Sequence, residues 1–76
     1  MISYYEAKVG DKVYYQPPQY NESYPEKYEN GMIKEIPEGD YPAVRVVYHC
    51  ANDWDNFKDY TSALTRTEDL YMGWKH

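Results

Sequence analysis

Ten residues of this 76-residue chain are Val, Ile or Leu, and eleven are Tyr. That ratio constrains the fold more than any motif does. A domain of this length buries only about 60% of the surface its unfolded chain exposes, and ten aliphatic side chains do not fill even that small interior. Tyrosine and tryptophan rings must supply part of the core. Five Pro and four Gly divide the sequence into short pieces, and short β-rich pieces between turn signals predict a small sandwich or barrel. Residues 1–76 read as one domain. A multidomain enzyme, a doubly wound nucleotide-binding fold and a disulfide scaffold are excluded.

The pieces can be placed in order. Gly10-Asp11 is a turn, and Val13-Tyr14-Tyr15 reads as a first strand that Pro17-Pro18 ends, because proline cannot donate to a ladder. Residues 16–30 form a long Tyr-rich connection, and connections of that length are often functional. Ser23-Tyr24-Pro25-Glu26 matches a capping box and predicts one helical turn over 24–28. Asn30-Gly31 reads as a turn pair before a second strand, 32–36. Ile33 and Ile36 are three apart there, so the strand must bulge if both face inward.

Pro37-Glu38-Gly39-Asp40 is the next turn, and 43–49 is the clearest strand. Val44, Val46 and Tyr48 share one of its faces, and Arg45, Val47 and His49 the other. The strands at 32–36 and 43–49 should form an antiparallel hairpin. Residues 52–56 are a polar loop centred on Trp54, and 57–64 alternates as a fourth strand. Thr65-Arg66-Thr67-Glu68 is a second capping box, predicting one helical or 3₁₀ turn over 66–70. Residues 71–74 close the chain as a short fifth strand.

Charge narrows the partners. The net charge is −5 at pH 7, from 13 acidic and 8 basic residues. No two of the cations are adjacent, whereas binding to nucleic acid draws most of its affinity from a basic patch. Direct DNA or RNA binding is therefore disfavoured, and the acidic surface suits solubility first and a basic partner second. The single cysteine, Cys50, fits a reducing compartment. With no secretory signal and no apolar run of the length that spans a bilayer, the expected address is the cytoplasm, away from membranes.

The element order, with the phrases Gly10-Asp11-Lys12-Val13-Tyr14-Tyr15, Asn30-Gly31-Met32-Ile33-Lys34-Glu35-Ile36, Val44-Arg45-Val46-Val47-Tyr48 and residues 65–70, resembles the SH3-like barrel over about residues 9–74. Within that class it resembles the Tudor, Agenet and chromo-barrel group, and barrels of the KOW type share the Gly-x-Ile/Val-Lys-x-Ile phrase. The implied fold is all-β: a five-stranded SH3-like barrel with one short helical turn before the last strand. The implied role is binding, not catalysis. Several members of the group hold a methylated Lys or Arg in an aromatic cage beside an acid. The matching positions would be Tyr20, Tyr24 and Tyr28 in the first loop, Trp54 with Asp53 and Asp55 in the later loop, and Tyr48 or Tyr60 between them. The first loop is longer and richer in Pro than a cage needs, which leaves a flat peptide-binding surface as an equal alternative. The brevity and composition resemble those of small phage or bacterial proteins.

Each chemical candidate has a plainer reading beside it. Tyr offers broad contact area at low entropic cost, yet Tyr14, Tyr48, Tyr60 and Tyr71 are expected first as replacements for missing aliphatics. If the strand continues through Cys50, His49 and Cys50 point to opposite faces and form no nucleophilic dyad. The ligand set for zinc is too small. Residues 52–56 lack the glycine and terminal Glu of a calcium loop. Asp53, Asp55 and Asp59 lie close together without a pocket for acid–base work.

The expectation is thus a non-enzymatic module, without cofactor or metal, that binds a protein or peptide through aromatic and acidic loops. An anionic inhibitor mimicking nucleic acid is the alternative, and a KOW-like RNA- or ribosome-associated module using Lys34, Arg45 and Lys58 is a third. A homodimer is a further expectation, since a chain with so few aliphatics gains from shared burial.

Overall fold

Val44 and Val46, two apart in the strongest β pattern of the sequence, are both fully buried. They centre a core completed by Ile2, Val13, Ile33 and Leu70, against which Ala7, Tyr15, Ile36 and Tyr48 pack. Each such side chain contributes about 1.5–3 kcal/mol when taken out of water. Two tyrosines thus stand where longer aliphatics would be, as the composition requires.

The computed structural model describes residues 1–17, 28–39 and 41–75. Five strands are present among them: β1 (Lys12–Tyr15), β2 (Glu29–Glu35), β3 (Ala43–Val47), β4 (Ala63–Arg66) and β5 (Leu70–Met72). They form one antiparallel sheet in the order β4-β3-β2-β1-β5. The two edge strands are consecutive in the chain and joined by the 3₁₀ turn Thr67–Asp69. The sheet curls until its edges meet at that turn, where Ile2 N–H donates to Thr67 O and Gln16 N–H to Asp69 O. The architecture is all-β as expected, five antiparallel strands in one sheet with a short 3₁₀ turn before the last strand.

The expected bulge is real. Register shifts between Ile33 and Glu35 as β2 pairs with β3. Ile33 is fully buried and Ile36 packs on the same core. The hairpin of β2 and β3 and the alternation of Val44 and Val46 are also as the sequence reads.

Several local expectations are corrected. Asn30-Gly31 is not a turn. It lies inside β2, with Gly31 opposite Val13 and Asn30 opposite Tyr14. A Cβ on Gly31 would stand 2.6 Å from Val46 Cγ1 and 2.8 Å from Val47 O, so glycine is there to admit β3, not to reverse the chain. Residues 57–64 are not one strand. Trp54–Asp59 is a 3₁₀ segment with a kink at Asn56, closed by the backbone bonds Asn56 N–H to Asp53 O at 3.0 Å and Tyr60 N–H to Phe57 O at 3.2 Å, with the Asp53 carboxylate accepting from Asn56 Nδ2 at 2.9 Å beside them. Only 63–66 pairs with β3.

The second capping box does not form: the 3₁₀ turn at Thr67–Asp69 has Arg66 at its N-cap and no side-chain cap bond. Thr65 instead turns its hydroxyl to the Tyr48 hydroxyl, 2.9 Å away. The helical turn expected over 24–28 falls, apart from Tyr28, outside the described residues. No helix among the described residues is long and apolar enough to cross a membrane.

Candidate functional site

β1 alternates inward Val13 and Tyr15 with outward Lys12 and Tyr14. Pairing then decides what shares the outer face. Tyr14 is flanked by Tyr71 of β5 on one side and Asn30 of β2 on the other. The Tyr14 and Tyr71 rings stack at 5.1 Å between centroids, and Tyr28 meets Tyr14 edge-on at 6.4 Å. Tyr14 and Tyr71, expected as core, are instead a half-buried aromatic surface, because register places them on the solvent side of the sheet.

Residues 73–75 fold back across this face. Gly73 adopts φ 83°, a conformation open to glycine at little cost, and its N–H donates to Lys12 O at 2.8 Å. The Trp74 indole Nε1–H donates to Gly31 O at 2.8 Å. Trp74 is covered on one side by Trp54, 4.9 Å between centroids, and the Lys12 ammonium sits 4.6 Å from its ring. Asn30 then holds the backbone of Lys75 twice: Lys75 N–H donates to Asn30 Oδ1 at 2.9 Å, and Asn30 Nδ2 donates to Lys75 O at 2.9 Å.

The side chain of Lys75 completes the arrangement. Its ammonium lies 5.1 Å from the Tyr28 centroid and 5.8 Å from the Tyr14 centroid, and it donates to Gln16 Oε1 at 3.1 Å. Gln16 is buried. The ring faces carry negative potential, so such a placement gains about 0.5–1 kcal/mol when exposed and more when desolvated. Two tyrosines, one buried amide oxygen and one backbone-clamping asparagine therefore hold a lysine residue by both ends.

The residues singled out in the sequence are distributed as follows. Tyr28 and Trp54, from different loops, reach one outer surface because residues 74 and 75 lie between them. Tyr48 is half-buried against the core, edge-on to Tyr15 at 6.2 Å, and burial pushes its phenol pKa up to about 12 despite the opposing Thr65 bond. Asp53 and Tyr60 form a turn network: the Tyr60 hydroxyl donates to Asp53 Oδ2 at 3.0 Å, and that bond raises the Tyr60 pKa. Asp55 is exposed in the first turn of the 3₁₀ segment. Tyr20 and Tyr24 lie outside the described residues. The residues that sequence reasoning missed are Tyr14, Gln16, Asn30, Tyr71, Trp74 and Lys75. The one signal available for them was an indole and an ammonium placed just after a glycine.

Elsewhere, a surface cleft of about 400 Å³ lies between residues 1–5, 41–42 and 66–68. Its Arg66 is committed to Glu68 at 3.1 Å and to the Tyr41 hydroxyl and ring. Among the described residues there is no cluster of three or more His, Cys, Asp or Glu suited to a metal ion. No protein-family model matches the chain, and comparison with curated proteins and with solved structures gives no match.

Proposed function

We propose that this chain is a non-enzymatic binding module that recognises a basic segment of a protein or peptide on the outer face of β1, β2 and β5. The observation that carries the reading is the placement of a lysine ammonium over Tyr14 and Tyr28 with Gln16 as its acceptor. A net charge of −5 adds long-range attraction for a cationic partner. The resemblance to Tudor-like barrels points the same way, with the aromatic surface built from β1, Tyr28 and β5 in place of two loop tips.

The alternative of a nucleic-acid mimic draws less support. Glu29, Glu35 and Glu68 each face a base of the chain itself, His49, Arg45 and Arg66, which breaks up a regular array of carboxylates. A KOW-like use of Lys34 and Arg45 is weakened similarly, since Lys34 donates to Tyr60 O at 2.7 Å and Arg45 faces Glu35.

The test is a titration, followed by amide NMR, with an acetylated, amidated octapeptide of Gly and Ser carrying one central Lys, against the same peptide with norleucine. Shifts at residues 14, 28 and 30 with the Lys peptide alone, weakened about tenfold in Tyr28→Ala, support the reading. Equal response to the norleucine peptide overturns it, as does no response to either peptide in wild type and in Lys75→Ala alike.

A further inference from the structure

The site just described is occupied by the chain's own residue, and its parts divide the recognition of that residue in an informative way. Asn30 reads only backbone: one N–H and one C=O of Lys75, as a neighbouring strand would. Tyr14, Tyr28 and Gln16 meet the ammonium. Nothing in this set depends on Lys75 belonging to the same chain, so a lysine residue in any extended peptide can satisfy the same atoms.

Resting on the binding reading above, we infer that residues 73–75 are an intramolecular pseudo-ligand: Lys75 fills a lysine subsite formed by Tyr14, Gln16, Tyr28 and Asn30, and a lysine residue of a partner binds there by displacing it. The strap is held so that it can leave. It bonds to the backbone of Lys12 and Gly31 and to the Asn30 side chain, its Lys75 ammonium also meets the buried Gln16 Oε1, and it adds no side chain to the core cluster around Val44 and Val46. Its aromatic contact, Trp74 on Trp54, is between two half-buried rings. Strap release therefore removes no member of the apolar core cluster.

The subsite also has a chemical preference. Lys75 donates an N–H to Gln16 Oε1, which a quaternary ammonium cannot do. A partner amine keeping at least one N–H, unmodified or partly methylated, reproduces the contact, and trimethyl-lysine loses it. Closure by the strap lowers the apparent affinity for a partner by the fraction of molecules in which the site is open.

The experiment uses the full chain and the Lys octapeptide, with its trimethyl-lysine counterpart, against wild type, Lys75→Ala and Lys75→Arg. Thermal melts confirm that each variant folds. The proposal expects about tenfold tighter binding of the Lys peptide to Lys75→Ala than to wild type, the effect of removing a ten-to-one closing equilibrium. Lys75→Arg, which keeps a cation, should stay near wild type. In wild type, the Lys75 Hε resonances should be shifted upfield by the tyrosine ring currents and move to ordinary lysine values as peptide is added. The trimethyl peptide should bind Lys75→Ala about tenfold more weakly than the Lys peptide. If wild type binds through Tyr14 and Tyr28 but Lys75→Ala binds no tighter and the Lys75 resonances stay unmoved, the pseudo-ligand is overturned while the binding reading stands. If no variant binds the Lys peptide, both are overturned. Trimethyl-lysine binding as well as lysine overturns the role given to Gln16.

Discussion

Trp54 and Trp74 stand 4.9 Å apart, centroid to centroid, with their planes tilted by 51°. Two indoles that close couple their excited states, so the pair should give an exciton couplet in the far-ultraviolet circular dichroism. Trp54→Phe and Trp74→Phe should each abolish the couplet while the chain stays folded. Because Trp74 also donates to Gly31 O, its replacement by Phe should cost about 1 kcal/mol more than that bond-neutral change at Trp54, as read by urea unfolding. A couplet that survives in either variant places the two rings apart.

Gly31 supplies a prediction about packing. A methyl group there would meet Val46 Cγ1 at 2.6 Å, Val47 O at 2.8 Å and Tyr48 Cδ1 at 2.9 Å. The first and third are side chains already fixed by the core, and the second is backbone, so none yields cheaply. Gly31→Ala should destabilise the domain by about 1–3 kcal/mol, the usual cost of overpacking. An unfolding midpoint equal to wild type would mean that β2 and β3 separate more easily than their register suggests.

That same glycine shows where the sequence was legible and where it was not. Periodicity located the β3 face, the bulge after Ile33, the hairpin and the short turn before the last strand, because burial of Val44, Val46 and Ile33 is a local consequence of alternation. Asn30-Gly31 looked like a turn because local propensity cannot distinguish a glycine needed for its backbone freedom from one needed for its missing side chain. Residues 57–64 looked like one strand because alternation does not register the backbone turns Asn56 N–H to Asp53 O and Tyr60 N–H to Phe57 O that make 54–59 a 3₁₀ segment. The outer aromatic face was invisible, since it depends on Tyr14 pairing with Tyr71, 57 positions away, and on a fold-back at Gly73. Only Tyr28 and Trp54 of that surface were marked in advance, as aromatics in polar loops.

The turn leading into the 3₁₀ segment carries strain that can be relieved. Ala51 and Asn52 both have positive φ, 52° and 64°, and Asp53 N–H closes the turn on Cys50 O at 2.8 Å. Consecutive positive φ values are the mark of a turn that favours Asn and Gly. Asn52 suits it and Ala51 does not. Ala51→Gly should therefore stabilise the domain by about 0.5–1 kcal/mol, seen as a higher melting temperature. A lower one would show that the entropy glycine adds to the unfolded chain outweighs the strain.

Alkaline stability should report Tyr48. Its phenol is raised from an ordinary value of 10.0 to about 12 by burial against the core. The folded chain then keeps that proton over a range where the unfolded chain has lost it, so the unfolded state binds fewer protons and stability falls as pH rises. The fall should run from about pH 10 to 12 and be absent below, where both states are protonated. The informative quantity is the difference between wild type and Tyr48→Phe. At neutral pH the variant should lose about 0.5–1.5 kcal/mol with the bond to Thr65 Oγ1. Above pH 10 it should lose stability less steeply than wild type, narrowing or reversing that gap. Parallel unfolding curves from pH 8 to 12 would mean that the Tyr48 hydroxyl is as well solvated in the folded domain as in the unfolded chain, and would remove it from the barrel wall.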